Sequence, residues 1–236
     1  MPGRRTRKSS RLQDRDYEIL EHIFLYHATT REILRCQFFV DSEPNAVTKV
    51  TSRLVDGRFL QRYPLPGNAS YFRLGPAGSR IVGGSPKCCE PLGPQSLFEH
   101  LGILYFCLST SARRRRMSVA EIMKDLPALL QKKTESNRYV LDASEGSNRL
   151  MFIRIDGGGT GDHVVRKIRD DIDKRISNPL CSALMSRREF AIACVTYSDS
   201  KKQAIERRLA EESLICPVIV DVVPMLSDLL GGFYDS

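Results

Sequence analysis

The chain has 236 residues, 42% of them hydrophobic, a net charge of +8 and a pI near 9.2. That apolar content excludes wholesale disorder, and the longest apolar run, LGILYFCL from Leu101, falls well short of the roughly 20 residues of a membrane span. The basic balance points to nucleic acid as a partner. Seven cysteines without a CxxC pair favour free thiols in a reducing cytoplasm over structural zinc.

Residues 1–13 form a basic arm with Arg4, Arg5, Arg7, Lys8 and Arg11. It has no apolar core, so it does not read as a signal peptide. Such arms contact phosphates or the minor groove.

Residues 14–84 carry helical and then strand-like patterning. From Asp14 to His27, Tyr17, Ile19, Leu20, Ile23, Phe24 and Leu25 share a face, and Asp14 or Asp16 can cap the start. TTREILRCQFF reads as a second short helix, with a capping box from Thr29 to Glu32. A third helix follows in SEPNAVTKVTSRLVDGRFL. Val47, Val50 and Leu54 face inward, Thr48, Lys49, Thr51, Ser52 and Arg53 face outward, and Gly57 ends it as a glycine C-cap. FLQRYPL and SYFRLG, joined by PGNA, form a hairpin, and PAGSRIVGG a short closing helix. Three helices and a hairpin give a winged helix-turn-helix plan. Base contacts are expected from Thr48, Lys49, Thr51, Ser52 and Arg53, and phosphate contacts from Arg58, Arg62 and Arg73.

Residues 85–133 read as a helical linker. GGSPKCCEPLGPQS marks a boundary, and from Ser96 to Ser109 a helix is apolar nearly all round. Such a helix must be buried on several sides, between domains or between subunits, and a homodimer is expected. RRRR at Arg113–Arg116 suits either a phosphate clamp or a solvated loop. The amphipathic segment SVAEIMKDLPALLQKK is interrupted by Pro127.

Residues 134–236 follow a β-β-α-β-α-β-α order, a mixed α/β domain. The stretch FIRIDGGGTGDHVVRKI runs from a buried strand through Asp156 and three glycines into a helix with Val164, Val165, Ile168, Ile172 and Ile176 inward. GGGTGD lacks the GK[ST] ending of a P-loop and the spacing of a dinucleotide fingerprint. His163 has no nucleophile elbow beside it. Asp142, Asp156 and Lys167 offer a thin version of a two-metal nuclease site. By the period-two rule Arg154 shares a strand face with Asp156 and can pair with it.

With these motifs in hand, the chain from Asp14 to Leu230 resembles the replication-relaxation family of plasmids, phages and conjugative elements. The resemblance rests on ILEHIFLYHATTREILRCQFF, VTSRLVDGRFLQR, YFRLGPAGSRIV, LFEHLGILYF and, most locally, FIRIDGGGT. It implies an α+β and α/β chain: a winged helix-turn-helix, a helical linker and a restriction-endonuclease-like domain. Where that pattern has a strand Glu, this chain has Arg154; where it has Pro-Asp, this chain has Ser136-Asn137. Asp156 and Lys167 complete what reads as a degenerate nuclease-like site. An arginine repels Mg²⁺, so the resemblance implies a nuclease-like fold whose substitutions argue against cleavage.

The expectation is therefore a cytoplasmic, dimeric, sequence-specific binder of double-stranded DNA, with no metal, cofactor or membrane partner. It would regulate transcription, or assist replication or transfer, on a mobile genetic element. The alternatives are a metal-dependent nuclease or nickase with an altered site and a protein-interaction adaptor.

Overall fold

The computed structural model describes residues 12–129, 138–144, 146 and 148–234. The chain divides into two units, Met1–Pro91 and Leu92–Ser236. The division falls inside the stretch expected to be a linker. Residues up to Pro91 belong with the first unit, and the apolar helix after them belongs to the second.

The first unit opens with α1 (Asp14–Tyr26), which buries Ile19, Leu20 and Ile23 and leaves Tyr17 and Phe24 exposed. Asp16 works from inside the first turn: its carboxylate accepts from the Gln13 N–H at 2.8 Å. A two-residue strand, β1 (Thr29–Thr30), leads into α2 (Arg31–Phe38), whose cap is Thr30 rather than Thr29. After α3 (Ala46–Asp56) come β2 (Leu60–Pro64), β3 (Ser70–Leu74) and α4 (Pro76–Ile81). The strands form an antiparallel sheet of order β1-β3-β2, with Thr29 opposite Phe72. Leu20, Ile23, Leu34, Val50, Leu54 and Phe72 are among the residues of one core. Beyond α4, the Tyr63 hydroxyl donates to the Cys89 carbonyl at 2.6 Å, which holds the 86–89 turn to the hairpin.

The second unit begins with α5 (Pro94–Leu108), in which Leu97, Phe98 and every residue from Leu101 to Cys107 are buried. A five-stranded sheet follows in the order β4 (Arg114–Arg116), β5 (Tyr139–Asp142), β6 (Arg149–Ile155), β7 (Phe190–Thr196), β8 (Val218–Val222). It is antiparallel from β4 to β6 and parallel from β6 to β8. The parallel steps require crossovers. α7 (Gly161–Ile176) and α8 (Pro179–Ser186) supply the first, and α9 (Asp199–Leu209) the second. On that face Phe152, Phe190, Ile192 and Val220 pack with Val165, Ile168 and Ile205. The other face carries α5, with α10 (Met225–Tyr234) beside it. The helix set by its sequence between domains or subunits is thus covered by its own sheet and α10. α8 had no clear signal, because PLCSALMS is short. Ile176, expected inward, is exposed at the end of α7.

The last three arginines of RRRR form an edge strand. Twist brings diagonal corners of a sheet toward one face, and here Arg114 joins them. It meets Asp221 on β8 at 2.8 Å and Asp142 on β5 at 3.4 Å, and it stacks 4.0 Å from the Phe106 ring of α5. Burial works to raise the Asp142 carboxyl, but bonds from Ser144 and the charge of Arg114 hold it below its ordinary value. Arg115 pairs with Glu121 at 2.7 Å on α6 (Val119–Asp125), and Arg116 is buried.

Two outcomes test this packing. A Cβ on Gly102 would stand 2.9 Å from the Ile155 side chain. Gly102→Leu is expected to force α5 off β6 and to destabilise the second unit by about 1–3 kcal/mol; unchanged chemical denaturation followed by circular dichroism would contradict it. In the first unit, His22 bonds the Thr29 hydroxyl at 2.9 Å and packs against Tyr26 and Phe38. Burial pushes its imidazole from 6.5 down to about 4. The unfolded ring therefore binds more protons between those values, so the contribution is complete above pH 6.5 and is lost as pH falls toward 4. NMR titration is expected to find the His22 ring neutral down to about pH 4.

Candidate functional site: an exposed helix face and an occupied acidic cleft

The first unit sorts the residues expected to touch DNA. Thr48, Lys49 and Ser52 are exposed on α3, opposite the buried Val47, Val50 and Leu54. Arg58 and Arg62 are also exposed, Arg62 donating to the Ser70 hydroxyl across the hairpin at 2.8 Å. Three others have structural work. Thr51 is buried, and its hydroxyl donates to the Val47 carbonyl at 2.8 Å. Arg73 is buried and donates to the carbonyls of His27 and Glu90. Arg53 is half-buried and pairs at 2.6 Å with Asp16, which has no exposed surface. Thr51 and Arg73 cannot reach a ligand without unfolding their surroundings, and Arg53 would have to abandon a buried charge. The reason is helical geometry: Thr51 lies one residue from Val50 and three from Leu54, so it shares their stripe. Arg4, Arg5, Arg7, Lys8 and Asn137 lie outside the described residues.

In the second unit, Arg154, Asp156 and Lys167 do come together. With Gly159, His163 and Val164 they line a cleft of about 190 Å³ at the end of β6. Thr160 caps α7 there, accepting from the His163 N–H at 3.3 Å, and Gly158 takes a φ of 101°. Asp142 does not join them. It lies opposite Arg149, at the other end of β6. Six residues at ~3.3 Å each separate the two strand ends, about 20 Å.

The expected pair between Arg154 and Asp156 is also replaced. Arg154 Nε donates to Asp171 Oδ2 on α7 at 2.6 Å. Asp171 is buried and lies 3.6 Å from Arg175, whose guanidinium stacks 3.3 Å from the Phe152 ring. Asp156 instead accepts from the Thr196 hydroxyl and the Gly158 N–H, each at 3.1 Å, and Lys201 of α9 stands 3.8 Å away while donating to the Gly159 carbonyl. Cys194, beside this carboxylate, has its thiol pushed up to about 12, first by burial and then by the charge of Asp156. It stays protonated and is no nucleophile.

Sequence reasoning missed Asp171, Arg175, Thr196 and Lys201. The first two had a signal: they fall three residues after Ile168 and Ile172 and so belong to the inward stripe. Nothing local marks Lys201, which arrives from the second crossover.

A nuclease-like reading brings with it a divalent ion. These residues do not fit one. The cleft offers one carboxylate already holding three partners, with a guanidinium two residues before it and an ammonium beside it. Among the described residues no three His, Cys, Asp or Glu gather in a metal-holding cluster, and no helix is long and apolar enough to cross a membrane. Comparison with known proteins matches no family model, no curated protein and no solved structure.

Asp171→Ala is expected to remove the buried carboxylate that Arg154 and Arg175 share and to cost about 3 kcal/mol. Equal stability of Asp171→Ala and wild type in urea would show that Arg154 and Arg175 do not depend on it.

Proposed function

We propose that the protein binds double-stranded DNA through its N-terminal unit, a winged helix-turn-helix in which α3 enters the major groove and the β2–β3 hairpin is the wing. The observation that carries this reading is the face of α3. Thr48, Lys49 and Ser52 stand exposed together on the side turned away from the core. These are side chains that reach base edges or phosphates. The net charge of +8 supports the same partner.

The C-terminal unit is, in this reading, a restriction-endonuclease-like scaffold that has lost cleavage and serves as a dimerisation or docking module. What supports this is the mixed sheet around β6, the acidic residue at the end of that strand, and the arginine and lysine that flank it. The biological role that fits the resemblance is a cytoplasmic, dimeric regulator of transcription, or an accessory of replication or transfer, on a mobile genetic element. Membership of the replication-relaxation family is part of the proposal.

The test is a fluorescence-anisotropy titration with labelled duplex from the region upstream of its own gene and with unrelated duplex. Lys49→Ala and Ser52→Ala together are expected to weaken binding about 10-fold or more, and rising salt to weaken it steeply. Affinity indifferent to both would favour a protein-interaction adaptor. Plasmid cleavage in Mg²⁺ or Mn²⁺, abolished by Asp156→Ala, would restore the nuclease reading.

A further inference from the structure

α3 ends differently from its sequence expectation. Gly57 is right-handed, with a φ of −77°, and it is Arg58, with a φ of 62°, that takes the left-handed position. The Arg58 N–H donates to the Val55 carbonyl and the Phe59 N–H to the Leu54 carbonyl, both at 2.9 Å, the paired bonds of a Schellman ending. Gly57 is needed for another reason, since a Cβ there would stand 2.7 Å from the Phe59 ring. The left-handed position itself favours glycine. The chain places an arginine there, exposed, and its guanidinium makes no hydrogen bond or ion pair among the described residues.

Arg58 also stands where two grooves meet. One, of about 690 Å³, lies between the end of α3 and α4 and is lined by Arg58, Ser79 and Arg80 among others. The second, of about 300 Å³, runs beside β2 and is lined by Arg58, Gln61 and Arg62 among others. Arg58 and Pro76 belong to both, and neither lining includes an Asp or Glu among the described residues. Arg80 is exposed, its guanidinium donating among the described residues only to the Pro76 carbonyl one turn back, at 3.2 Å. Three arginines along an acid-free groove suit a partner that carries regularly spaced negative charge. A strained backbone under the central one is what a functional constraint leaves behind.

We infer that the two grooves form one phosphate track, in which Arg58, Arg62 and Arg80 hold the sugar–phosphate backbone of DNA. Arg58 is its central contact, and Arg80 on α4 is a contact that lies outside the helix and wing. This rests on the DNA-binding function proposed above.

Wild type, Arg58→Gly, Arg80→Gln and Lys49→Ala are compared on the same labelled duplex across a salt series, with thermal unfolding of each. Arg58→Gly and Arg80→Gln are each expected to lose about 3- to 10-fold in affinity and to flatten the salt dependence by about one phosphate contact. The midpoint of Arg58→Gly is expected to be no lower than that of wild type, because glycine relieves the left-handed strain. If wild type binds and Lys49→Ala weakens it while both arginine variants bind with wild-type affinity and slope, the track is wrong and the DNA-binding function stands. A lowered midpoint for Arg58→Gly removes the strain argument, and Arg80→Gln then decides alone. A wild type that binds no duplex overturns the proposed function and the track with it.

Discussion

Asp16 has no exposed surface, and its charge is tolerated there because Arg53 lies 2.6 Å away and the Gln13 N–H closes the other side. A carboxylate removed from water needs such a partner, and stripping the partner away costs several kcal/mol. The same requirement recurs through the chain. Asp171 holds Arg154 and Arg175, Asp156 holds Lys201, and Asp142 shares Arg114 with Asp221. Each buried acid removes a cation from the surface. The arginines that face water without an acid partner are therefore an informative subset of a basic chain.

That sorting gives the glycine-rich stretch after β6 its meaning. Asp156 ends a buried strand, as a metal-binding acid would, yet its lone pairs meet a hydroxyl, a backbone N–H and an ammonium. Arg154 is turned toward the helix on the same face, where Asp171 and the Phe152 ring receive Arg175 as well. The cleft is thus a closed electrostatic arrangement. Its charges answer one another, and the Gly158 turn with its capped helix hold them in place.

In the first unit the sorting works the other way. Among the described residues Arg58, Arg62 and Arg80 have no acid to answer, and Arg58 stands on a backbone conformation that glycine would adopt more easily. Stability and function pull apart at that residue. The groove it borders and the exposed face of α3 bring its open cations together around one helix and the hairpin beside it.

Much of this was legible from residue order. Alternating and 3.6-residue apolar patterns are local properties, so α1, α3, the hairpin, β6 and α7 could be placed within a residue or two, and the cleft residues Arg154, Asp156 and Lys167 could be named. Elements whose stability comes from elsewhere could not. β1 is two residues long and exists through its pairing with β3, α8 is a short crossover helix, and Arg114–Arg116 become a strand because β5 offers them an edge. Sequence by itself determined the periodic elements, the basic balance and the identity of the candidate cations. Only the tertiary structure decided which of those cations are free, because a salt bridge between residues 37 or 107 positions apart has no local signature. It depends on where folding brings each buried carboxylate to rest.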